Sequence, residues 1–463
     1  MLLWAVFQLR QREYRNTRTS GQNRRRADDR KPLNCTTVIN VPPEPQVEVN
    51  KISTICFEDA EVDNLRPITL ARPAYAVTSA SFRLLDWLKR IPGTLHGHVR
   101  PHLRQIQDLD YGIQEFTGPL DRDSGLLLVN ARIAPTAGLD VRLQEWTKSE
   151  SSKVAFDAET TAVVVAFISA SDLRRLPTDE FVDLLEFASH LTPALLDLDI
   201  FRWPHDVIRH HQKEMPTSMN WRLRHEDFKE KLDGVFTRGD VQIGDYPVVD
   251  TSEGPILLDK NVQVGPFCYL SGPVFVGAGT RVIEHAALKD GVSLGHTVKI
   301  GGEVEASIIE PYTNKQHHGF LGHSYLGSWI NLGAGTCNSD LKNTYGKINI
   351  QYGTSKIATD MQFLGCFMGD YSKTAINTSI FTGKVIGVCS MMYGFVTSNV
   401  PSYVNYARLF GQTSLLPADV MINTQKRMFA RRKVDQRECD RQLIRDMYDL
   451  TCEERESADQ DIL

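Results

Sequence analysis

Residues 256–300 read ILLDKNVQVGPFCYLSGPVFVGAGTRVIEHAALKDGVSLGHTVKI and contain a six-residue repeat. An aliphatic residue recurs at every sixth position, and a small or apolar residue stands two places before each one. Leu, Ile and Val make up roughly a quarter of an average chain, so eight matches in one frame have a chance of about one in 10⁵. The period is typical of a parallel β-helix. The aliphatic positions are Leu258, Val264, Leu270, Val276, Val282, Leu288, Leu294 and Ile300.

This period predicts a triangular coil in which three short strands and three corners use about eighteen residues. The aliphatic residue points inward and stacks on its equivalents in the neighbouring coils, while backbone groups pair from coil to coil. Glycine or a small polar residue relieves each corner, where φ is often positive. Hexapeptide coils are usually left-handed, against the general preference for right-handed crossovers. We therefore expect a left-handed parallel β-helix over residues 239–405.

The period breaks after Ile300 and resumes at Leu326, offset by two positions. We therefore predict that residues 303–320 form an inserted loop that leaves the β-helix on one face, where such loops commonly build sites. The repeat ends near Pro401. Residues 406–463 are predicted to form a C-terminal helical cap over the last coil, followed by an acidic tail.

The residues before the repeat have a different pattern. Short apolar runs at 52–57, 126–130 and 163–168 are bounded by polar or turn residues, which is typical of strands buried on both faces. Helical patterns lie between and after these runs, so an α/β layer domain is expected. The predicted segments are a disordered basic N-terminal extension at 1–50, the α/β domain at 51–215, a linker helix at 216–238, the β-helix at 239–405, and the C-terminal cap and tail at 406–463.

The composition excludes several classes of protein. The 463 residues are 41% hydrophobic and 24% charged, close to the average for globular proteins, which excludes a fibrous, fully disordered or polytopic membrane protein. No run of about 18 apolar residues occurs, so no membrane-spanning helix is expected. The net charge of -5 gives no global attraction to nucleic acid. Eight scattered cysteines without a CxxC pair indicate reduced thiols and a cytoplasmic location.

Candidate catalytic residues are concentrated between positions 314 and 340. His317, His318 and His323 stand close to Lys315 and to the glycine-rich stretch 333–335. A neutral histidine can remove a proton from an attacking amine or hydroxyl near neutral pH. Backbone N–H groups and Asn side chains can hold the oxyanion of a tetrahedral acyl intermediate. The alternative is a loop whose histidines bond carbonyl groups and whose Gly-Ala-Gly sequence fits a tight corner.

These residues resemble the acetyltransferase domain of the bifunctional N-acetylglucosamine-1-phosphate uridylyltransferase/glucosamine-1-phosphate acetyltransferase family. That family has a basic histidine five residues before a glycine, here Gly322, and then the sequence Asn-[Ile/Val/Phe]-Gly-Ala-Gly-Thr, here residues 331–336. The resemblance implies that His317 is the catalytic base. It further implies substrate binding by Lys315, Asn331 and Asn338, and contacts to acetyl-CoA from Gly333, Ala334 and Thr336.

The chain departs from this family at the same place. Phe320 stands where the family has Tyr, which removes a hydroxyl contact to the sugar phosphate. Glu303, Glu305 and Ser307 replace basic residues that the family has before the histidine, which leaves only Lys315.

The front half resembles the opening of sugar nucleotidyltransferases, in which Arg-x-x-Pro-x-Thr follows a glycine-rich turn. A divergent bacterial branch that is fused to the same β-helix shares the Arg-Pro-[Leu/Ile]-Thr and Val-Asn-x-Arg patterns. The resemblance implies nucleotide and sugar-phosphate binding with Mg²⁺. Its residues are Arg66, Thr69, Arg72 and Asn130. Glu58, Asp59, Glu61 and Asp63 stand where the family has glycines, and Asn130 stands where it has a metal-binding Asp. Ion pairs between Arg66 or Arg72 and the adjacent acids are the alternative.

The leading hypothesis is a transferase of nucleotide-sugar metabolism. Its β-helix transfers an acetyl group from acetyl-CoA to an amine on a sugar phosphate, with His317 as base. Its front domain is expected to be a nucleotidyltransferase that uses a nucleoside triphosphate, a sugar 1-phosphate and Mg²⁺, as in UDP-N-acetylglucosamine metabolism. The resemblance implies a homotrimer, because the acyl donor lies in a groove between neighbouring β-helices.

Two alternatives are kept. The first is a zinc hydratase like the β-helix carbonic anhydrases, with His318, His323 and either His296 or His285 as ligands. The second is a protein that binds a nucleotide sugar without turnover, as a sensor or scaffold.

Overall fold

The computed structural model describes residues 52–353, 355–407 and 412–459, which all belong to one compact unit. The basic extension predicted at residues 1–50 lies outside the described residues. No helix within the described ranges is long and apolar enough to cross a bilayer.

The front part of the chain is built on a six-stranded sheet with the strand order β5-β4-β1-β6-β8-β7. The first four strands are parallel, and β8 runs antiparallel to both β6 and β7. The three apolar runs of the sequence form β1, β6 and β8, which are almost fully buried because helices cover both faces. The strands are β1 (Ile52–Phe57), β2 (Thr78–Ser79), β3 (Phe82–Arg83), β4 (Gly93–His98), β5 (Gln114–Glu115), β6 (Leu126–Asn130), β7 (Lys153–Phe156) and β8 (Val163–Ile168). The helices are α1 (Leu84–Leu88), α2 (Arg104–Tyr111), α3 (Leu139–Trp146), α4 (Ala170–Leu173) and α5 (Phe181–Ser189).

The connecting helix differs from the linker helix predicted at 216–238. Helix α6 runs over Pro204–His225, and two strands follow it, β9 (Lys229–Leu232) and β10 (Val235–Thr237). The helix begins early because Pro204 suits the first turn and Asp206 accepts the Trp203 backbone N–H at 2.9 Å. Because this helix has a polar composition, the sequence shows no hydrophobic period that would mark where it begins.

Residues 235–407 form the predicted left-handed parallel β-helix. Each coil contributes one strand to each of three faces, and parallel pairs such as Val274↔Val292 are separated by eighteen positions. Face 1 holds β10, β13 (Ile256–Leu258), β16 (Val274–Val276), β19 (Val292–Leu294), β22 (Ile308–Ile309), β25 (Tyr325–Leu326), β29 (Phe367–Met368) and β32 (Val385–Ile386). Face 2 holds β11 (Gln242–Ile243), β14 (Gln263–Val264), β17 (Arg281–Val282), β20 (Lys299–Ile300), β23 (Asn314–Lys315), β30 (Lys373–Thr374), β33 (Met391–Met392) and β35 (Val404–Ala407). Face 3 holds β12 (Val248–Asp250), β15 (Tyr269–Ser271), β18 (Ala287–Lys289), β21 (Glu303–Glu305), β24 (Phe320–Gly322), β26 (Cys337–Asn338), β31 (Ser379–Ile380) and β34 (Phe395–Val396).

The prediction of an inserted loop at residues 303–320 is wrong. These residues form β21, β22, β23 and the start of β24, in register with the coils on either side. The repeat is hidden because corners are shortened here: Leu294 pairs with Ile309, fifteen positions later instead of eighteen. Removing residues from a corner keeps the strands paired but shifts the sequence frame.

The real insertion lies later, between β26 and β29. It contains a hairpin of β27 (Asn349–Tyr352) and β28 (Ser355–Ala358). Tyr352 stacks on Trp203 with ring centroids 5.1 Å apart, so the hairpin packs over the start of α6 instead of shaping a ligand cleft.

The C-terminal helices contact the last coil and also extend beyond it. The Tyr403 hydroxyl of that coil donates to the Ile444 carbonyl at 2.6 Å, and the Ser402 N–H donates to Glu454 at 2.9 Å. The helices are α7 (Ala418–Arg431), α8 (Glu438–Leu450) and α9 (Cys452–Asp459), and they follow β36 (Gln412–Leu415), which pairs with β35. Phe429 packs on Trp329 at 4.3 Å, and Arg437 pairs with Asp110 of the front part at 2.7 Å. The helices therefore lie along the flank of the β-helix, against the corner between faces 1 and 2. The corner between faces 2 and 3 stays exposed, with Ile376 at 69%.

The inward aliphatic residues should carry most of the stability of the β-helix. Ile300 is fully buried, so Ile300→Ala should lower the free energy of unfolding by about 2–5 kcal/mol through lost burial and a cavity. The matched variant Ile376→Ala, at an exposed corner position, should change it by less than about 0.5 kcal/mol. Denaturant unfolding measures both, and equal losses would contradict the assignment of inward positions.

Candidate functional site

His317 lies on the exposed corner between faces 2 and 3, in the turn from β23 to β24. Both His317 and His318 are exposed. The Gln316 amide nitrogen lies 3.1 Å from His317 Nε2. An exposed imidazole beside an amide can take a proton from a ligand at this corner.

The neighbouring corners leave room around His317. In the preceding coil the corner consists of Gly301 and Gly302, and Ile300 to Val304 spans four positions where Val282 to Leu288 spans six. Gly302 has φ +69°, and a Cβ there would lie 2.9 Å from Lys315 Nζ, so a side chain does not fit. The hexapeptide period alone does not reveal this short corner, although two adjacent glycines at the frame break are a signal for it.

The following corner carries the Gly-Ala-Gly sequence, as the resemblance implies. The Gly335 N–H donates to the His318 carbonyl at 3.1 Å, so this turn lies directly beside the histidine turn. A Cβ on Gly333 would lie 2.6 Å from the Ala375 backbone, which accounts for the glycine by packing. Ala334 is half-buried at the same corner, whereas Thr336 is buried and its hydroxyl lies 2.7 Å from that of Thr374. Thr336 is therefore not available to acetyl-CoA in this arrangement.

Lys315 does not face a ligand, contrary to the prediction. It occupies an inward position of face 2, below Ile300 in the column, and is 2% exposed. Its ammonium group donates to the carbonyls of Gly301 at 2.8 Å, His317 at 3.2 Å and Gly319 at 2.8 Å. Burial lowers the pKa of Lys315 to about 8. Its role is to tie the histidine turn to the shortened corner.

The Asn338 side chain also points into the β-helix, whereas Asn331 is exposed on its outer surface. Asn338 is buried at an inward position of face 3, where its amide donates to the Gly322 carbonyl at 3.0 Å and accepts the Gly322 N–H at 2.8 Å. The predicted substrate contact of Asn338 is therefore wrong for this arrangement. Asn331 is exposed on face 2, so it remains a candidate for substrate binding.

The proposed zinc ligands do not share a face. His323 is buried, its Nδ1 lies 2.8 Å from Asp340 Oδ2, and its ring stacks on Phe363. His318 is exposed on a different corner. Within the described ranges, no three His, Cys, Asp or Glu side chains are grouped as metal ligands.

The carboxyl edge of the front sheet is filled by ion pairs. Arg132 is fully buried and donates to Asp59 through Nε at 2.8 Å and Nη2 at 2.6 Å, and it pairs with Glu61 at 3.1 Å. The Asn130 amide donates to the same Asp59 carboxylate at 2.8 Å. A magnesium ion prefers carboxylate oxygens, and here those oxygens already accept bonds from a guanidinium and an amide. These residues do not fit the Mg²⁺ that the resemblance implied, and Asn130 is not available to substrate.

Two further candidates of the front part are also paired or buried. Arg66 pairs with Asp63 at 3.0 Å and donates to the Leu450 carbonyl of α8 at 3.2 Å, as the ion-pair alternative expected. Thr69 is fully buried. Glu58, which replaces a family glycine, accepts from Arg100 at 3.0 Å and from the Ala74 N–H at 2.9 Å. The four carboxylates at this edge thus serve to bind the chain's own arginines and amides.

Arg72 forms a buried ion cluster with the β-helix. Its Nη1 lies 3.2 Å from Glu310 and its Nη2 contacts Asp370, and all three side chains are at most 5% exposed. Tyr325 donates to Glu310 at 2.6 Å, and the Ser328 N–H donates to Asp370 at 2.8 Å. Burial raises the pKa of Asp370 although Arg72 acts to lower it. Arg72 therefore joins the front part to the β-helix and does not bind a triphosphate.

Comparisons with known proteins agree with both halves of the fold. Residues 54–225 match the sugar nucleotidyl transferase family. An uncharacterized acetyltransferase, YaiX of Escherichia coli O6:K15:H31 (strain 536 / UPEC), is 26% identical over 198 residues, which are 42% of this chain and 85% of that protein. The bifunctional protein GlmU of Cupriavidus pinatubonensis is 35% identical over 109 residues, 23% of each chain. The front part is thus similar to sugar nucleotidyl transferases, and the chain is similar to acetyltransferases and to GlmU.

A solved structure also matches part of the chain. The polySia specific acetyltransferase NeuO has a TM-score of 0.24 and 14% sequence identity, and the overlap covers 44% of this chain and 99% of that chain.

Removal of Arg72 should destabilise the protein strongly. Arg72→Ala leaves two carboxylates buried without a cation, so the free energy of unfolding should fall by about 3–5 kcal/mol at neutral pH. Without Arg72 the folded state holds protons that the unfolded chain has released, so the loss should become smaller as the pH falls toward the ordinary carboxyl range. Arg66→Ala, at a partly exposed pair, should cost about 1 kcal/mol or less. A pH-independent loss for Arg72→Ala would contradict the buried cluster.

The buried ammonium group should make stability pH-dependent. Because the pKa of Lys315 is about 8 in the folded state against 10.5 ordinarily, the unfolded chain binds one more proton between these values. The wild type should therefore gain stability relative to Lys315→Met as the pH rises through this window, by at most about 1.4 kcal/mol per pH unit. Denaturant unfolding at several pH values measures the difference, and parallel curves would show that Lys315 is not shifted.

Proposed function

We propose that the β-helix of this protein is an acyltransferase that uses acetyl-CoA, with His317 as general base. The observation that supports this proposal is the exposed His317 ring at a corner where the preceding coil has only glycine. This corner gives a ligand access to the imidazole from the side of Gly301 and Gly302. The acceptor is an amine or hydroxyl on a sugar or sugar phosphate.

In this mechanism His317 removes a proton from the attacking group as it adds to the thioester carbonyl. The thiolate of the donor leaves when the tetrahedral intermediate collapses, and the proton on the imidazole can pass to it. Lys315 holds the His317 carbonyl at 3.2 Å and the Gly319 carbonyl at 2.8 Å, which fixes both ends of the turn that carries the base. Asn331, which is exposed, and Ala334, which is half-buried, lie on the next coil and are proposed to contact the ligands.

A homotrimer is the proposed active form. The front part, the hairpin and the C-terminal helices cover face 1 and the corner between faces 1 and 2. The corner between faces 2 and 3, which carries His317, is open. A second β-helix can approach this open side, where it would close a cleft around His317.

The front part is proposed to bind a nucleotide sugar or sugar phosphate without nucleotidyl transfer. The observation that favours binding over turnover is the Arg132–Asp59–Asn130 network, which occupies the carboxyl edge of the sheet where Mg²⁺ and triphosphate would react. Incubation with a nucleoside triphosphate, sugar 1-phosphates and Mg²⁺ should release no pyrophosphate. Release of pyrophosphate would show that the network opens when substrate binds.

Loss of the His317 imidazole should abolish most acyl transfer. Purified protein is incubated with acetyl-CoA and a panel of amino sugars and amino-sugar phosphates, and free thiol is measured. His317→Ala should lower kcat by about 10²–10⁴ with an unchanged unfolding midpoint, because it removes the general base. The matched variant His318→Ala keeps most of the activity. Loss in His318→Ala alone would move the base to His318, and full activity in His317→Ala would refute the proposal.

A further inference from the structure

Face 2 of the β-helix carries a continuous row of hydrogen-bond donors. Its outward positions in successive coils are Gln263, Arg281, Lys299, Asn314, Asn331 and Lys373, each paired in register with the next. No carboxylate interrupts these six positions. Faces of soluble proteins normally mix both signs of charge, so a row of amides and cations indicates a preference for anionic or oxygen-rich ligands.

The C-terminal helix adds two more cations at the middle of this row. Arg432 donates to the Asn314 side chain, and Arg431 is the last residue of α7. Arg281, Lys299, Arg431 and Arg432 have no carboxylate partner in the part of the chain that the structure describes. Burial and the nearby charges of Arg432, Arg281 and Arg431 lower the pKa of Lys299. Four cations are thus held close together although they repel one another.

A groove lies at one end of this row, in the coils that precede Lys299, and includes only Arg281 of the four cations. It has a volume of about 400 Å³ and is lined by Gln263 and Arg281 on face 2 and by Gly265 and Glu284 at the corner. Lys299 is the register partner of Asn314, which stands three residues before His317. Three extended residues span about 10 Å, so the cation cluster and the candidate base lie within the length of one organic phosphate ligand.

We propose that Arg281, Lys299, Arg431 and Arg432 form an anion site for the phosphate groups of a ligand whose other end reaches His317. Planar guanidinium groups and an ammonium group together suit a diphosphate or a phosphate ester. The site supplies the positive charge that the His317 turn lacks, because the ammonium group of Lys315 is buried and bonded to three carbonyls. Binding of an anion by these four residues does not depend on the proposed acyltransferase activity. Only the statement that the ligand also reaches His317 rests on the proposed function.

Equilibrium binding of inorganic pyrophosphate to the full chain tests the site directly. Titration calorimetry compares the wild type, the double variant Lys299→Gln/Arg432→Gln, and Lys356→Gln, which removes an exposed lysine from the distant hairpin. The double variant should weaken binding by about tenfold or more, since each charge-assisted bond contributes that much. Lys356→Gln should match the wild type, and binding should weaken as salt rises. Equal binding by all three proteins, or none by the wild type, would overturn the proposal.

Matched ligands then identify the source of the phosphate. Acetyl-CoA is compared with acetyl-pantetheine, and an amino-sugar phosphate with the free amino sugar. In one of these pairs, the double variant should weaken binding of the phosphorylated member and leave binding of the other member unchanged. The phosphorylated member of that pair is the ligand that the four cations bind. Pyrophosphate binding that survives in His317→Ala, together with no transfer by the wild type, would keep the anion site and refute the acyltransferase. Transfer that is insensitive to the double variant would refute the link to His317.

Discussion

Coil-on-coil pairing of the β-helix is the constraint on which the rest of the structure depends. Each coil must place its strands over those of the coil before, because an unpaired buried backbone group costs free energy. Strand positions are therefore fixed, and length changes are confined to corners. The fifteen-residue step from Leu294 to Ile309 and the hairpin inserted before β29 both satisfy this rule. One removes residues at corners and the other adds them at a corner, and the stacked interior continues through both.

This constraint also explains where the candidate site lies. A shortened corner draws the backbone inward, which leaves space outside it, and in this protein that space is beside His317. The interior must then accommodate a different residue, and Lys315 replaces an aliphatic side chain there. Its three carbonyl contacts satisfy the ammonium group and the carbonyl groups of the turn together. A polar interior position and an exposed base are thus two consequences of one change in coil length.

The sequence predicted the elements that follow a regular period and missed those that depend on tertiary pairing. The hexapeptide frame predicted the β-helix, and three apolar runs predicted β1, β6 and β8, because burial on a fixed face selects residue type directly. The frame shift after Ile300 was misread as a loop, since a shortened corner and an insertion break the period alike. At the site, motif spacing located His317 but could not distinguish inward from outward positions once the frame had shifted. Lys315 and Asn338 were therefore assigned to a ligand although they point inside.

The front part resembles nucleotidyltransferases in sequence, but its charges do not suit the phosphate binding that their reaction needs. A phosphate-binding loop needs free backbone N–H groups and no nearby negative charge. Here carboxylates replace those glycines and hold Arg132, Arg100 and Arg66, so the cations that could meet a phosphate are neutralised within the fold. Arg72 is buried at the interface with the β-helix, where it pairs with Glu310. Among the described residues, four cations without a carboxylate partner lie instead on face 2 or at the end of α7 beside it: Arg281, Lys299, Arg431 and Arg432. Phosphate recognition has a physical basis there that the front sheet does not offer, so the β-helix, rather than the front part, is the place to test for turnover.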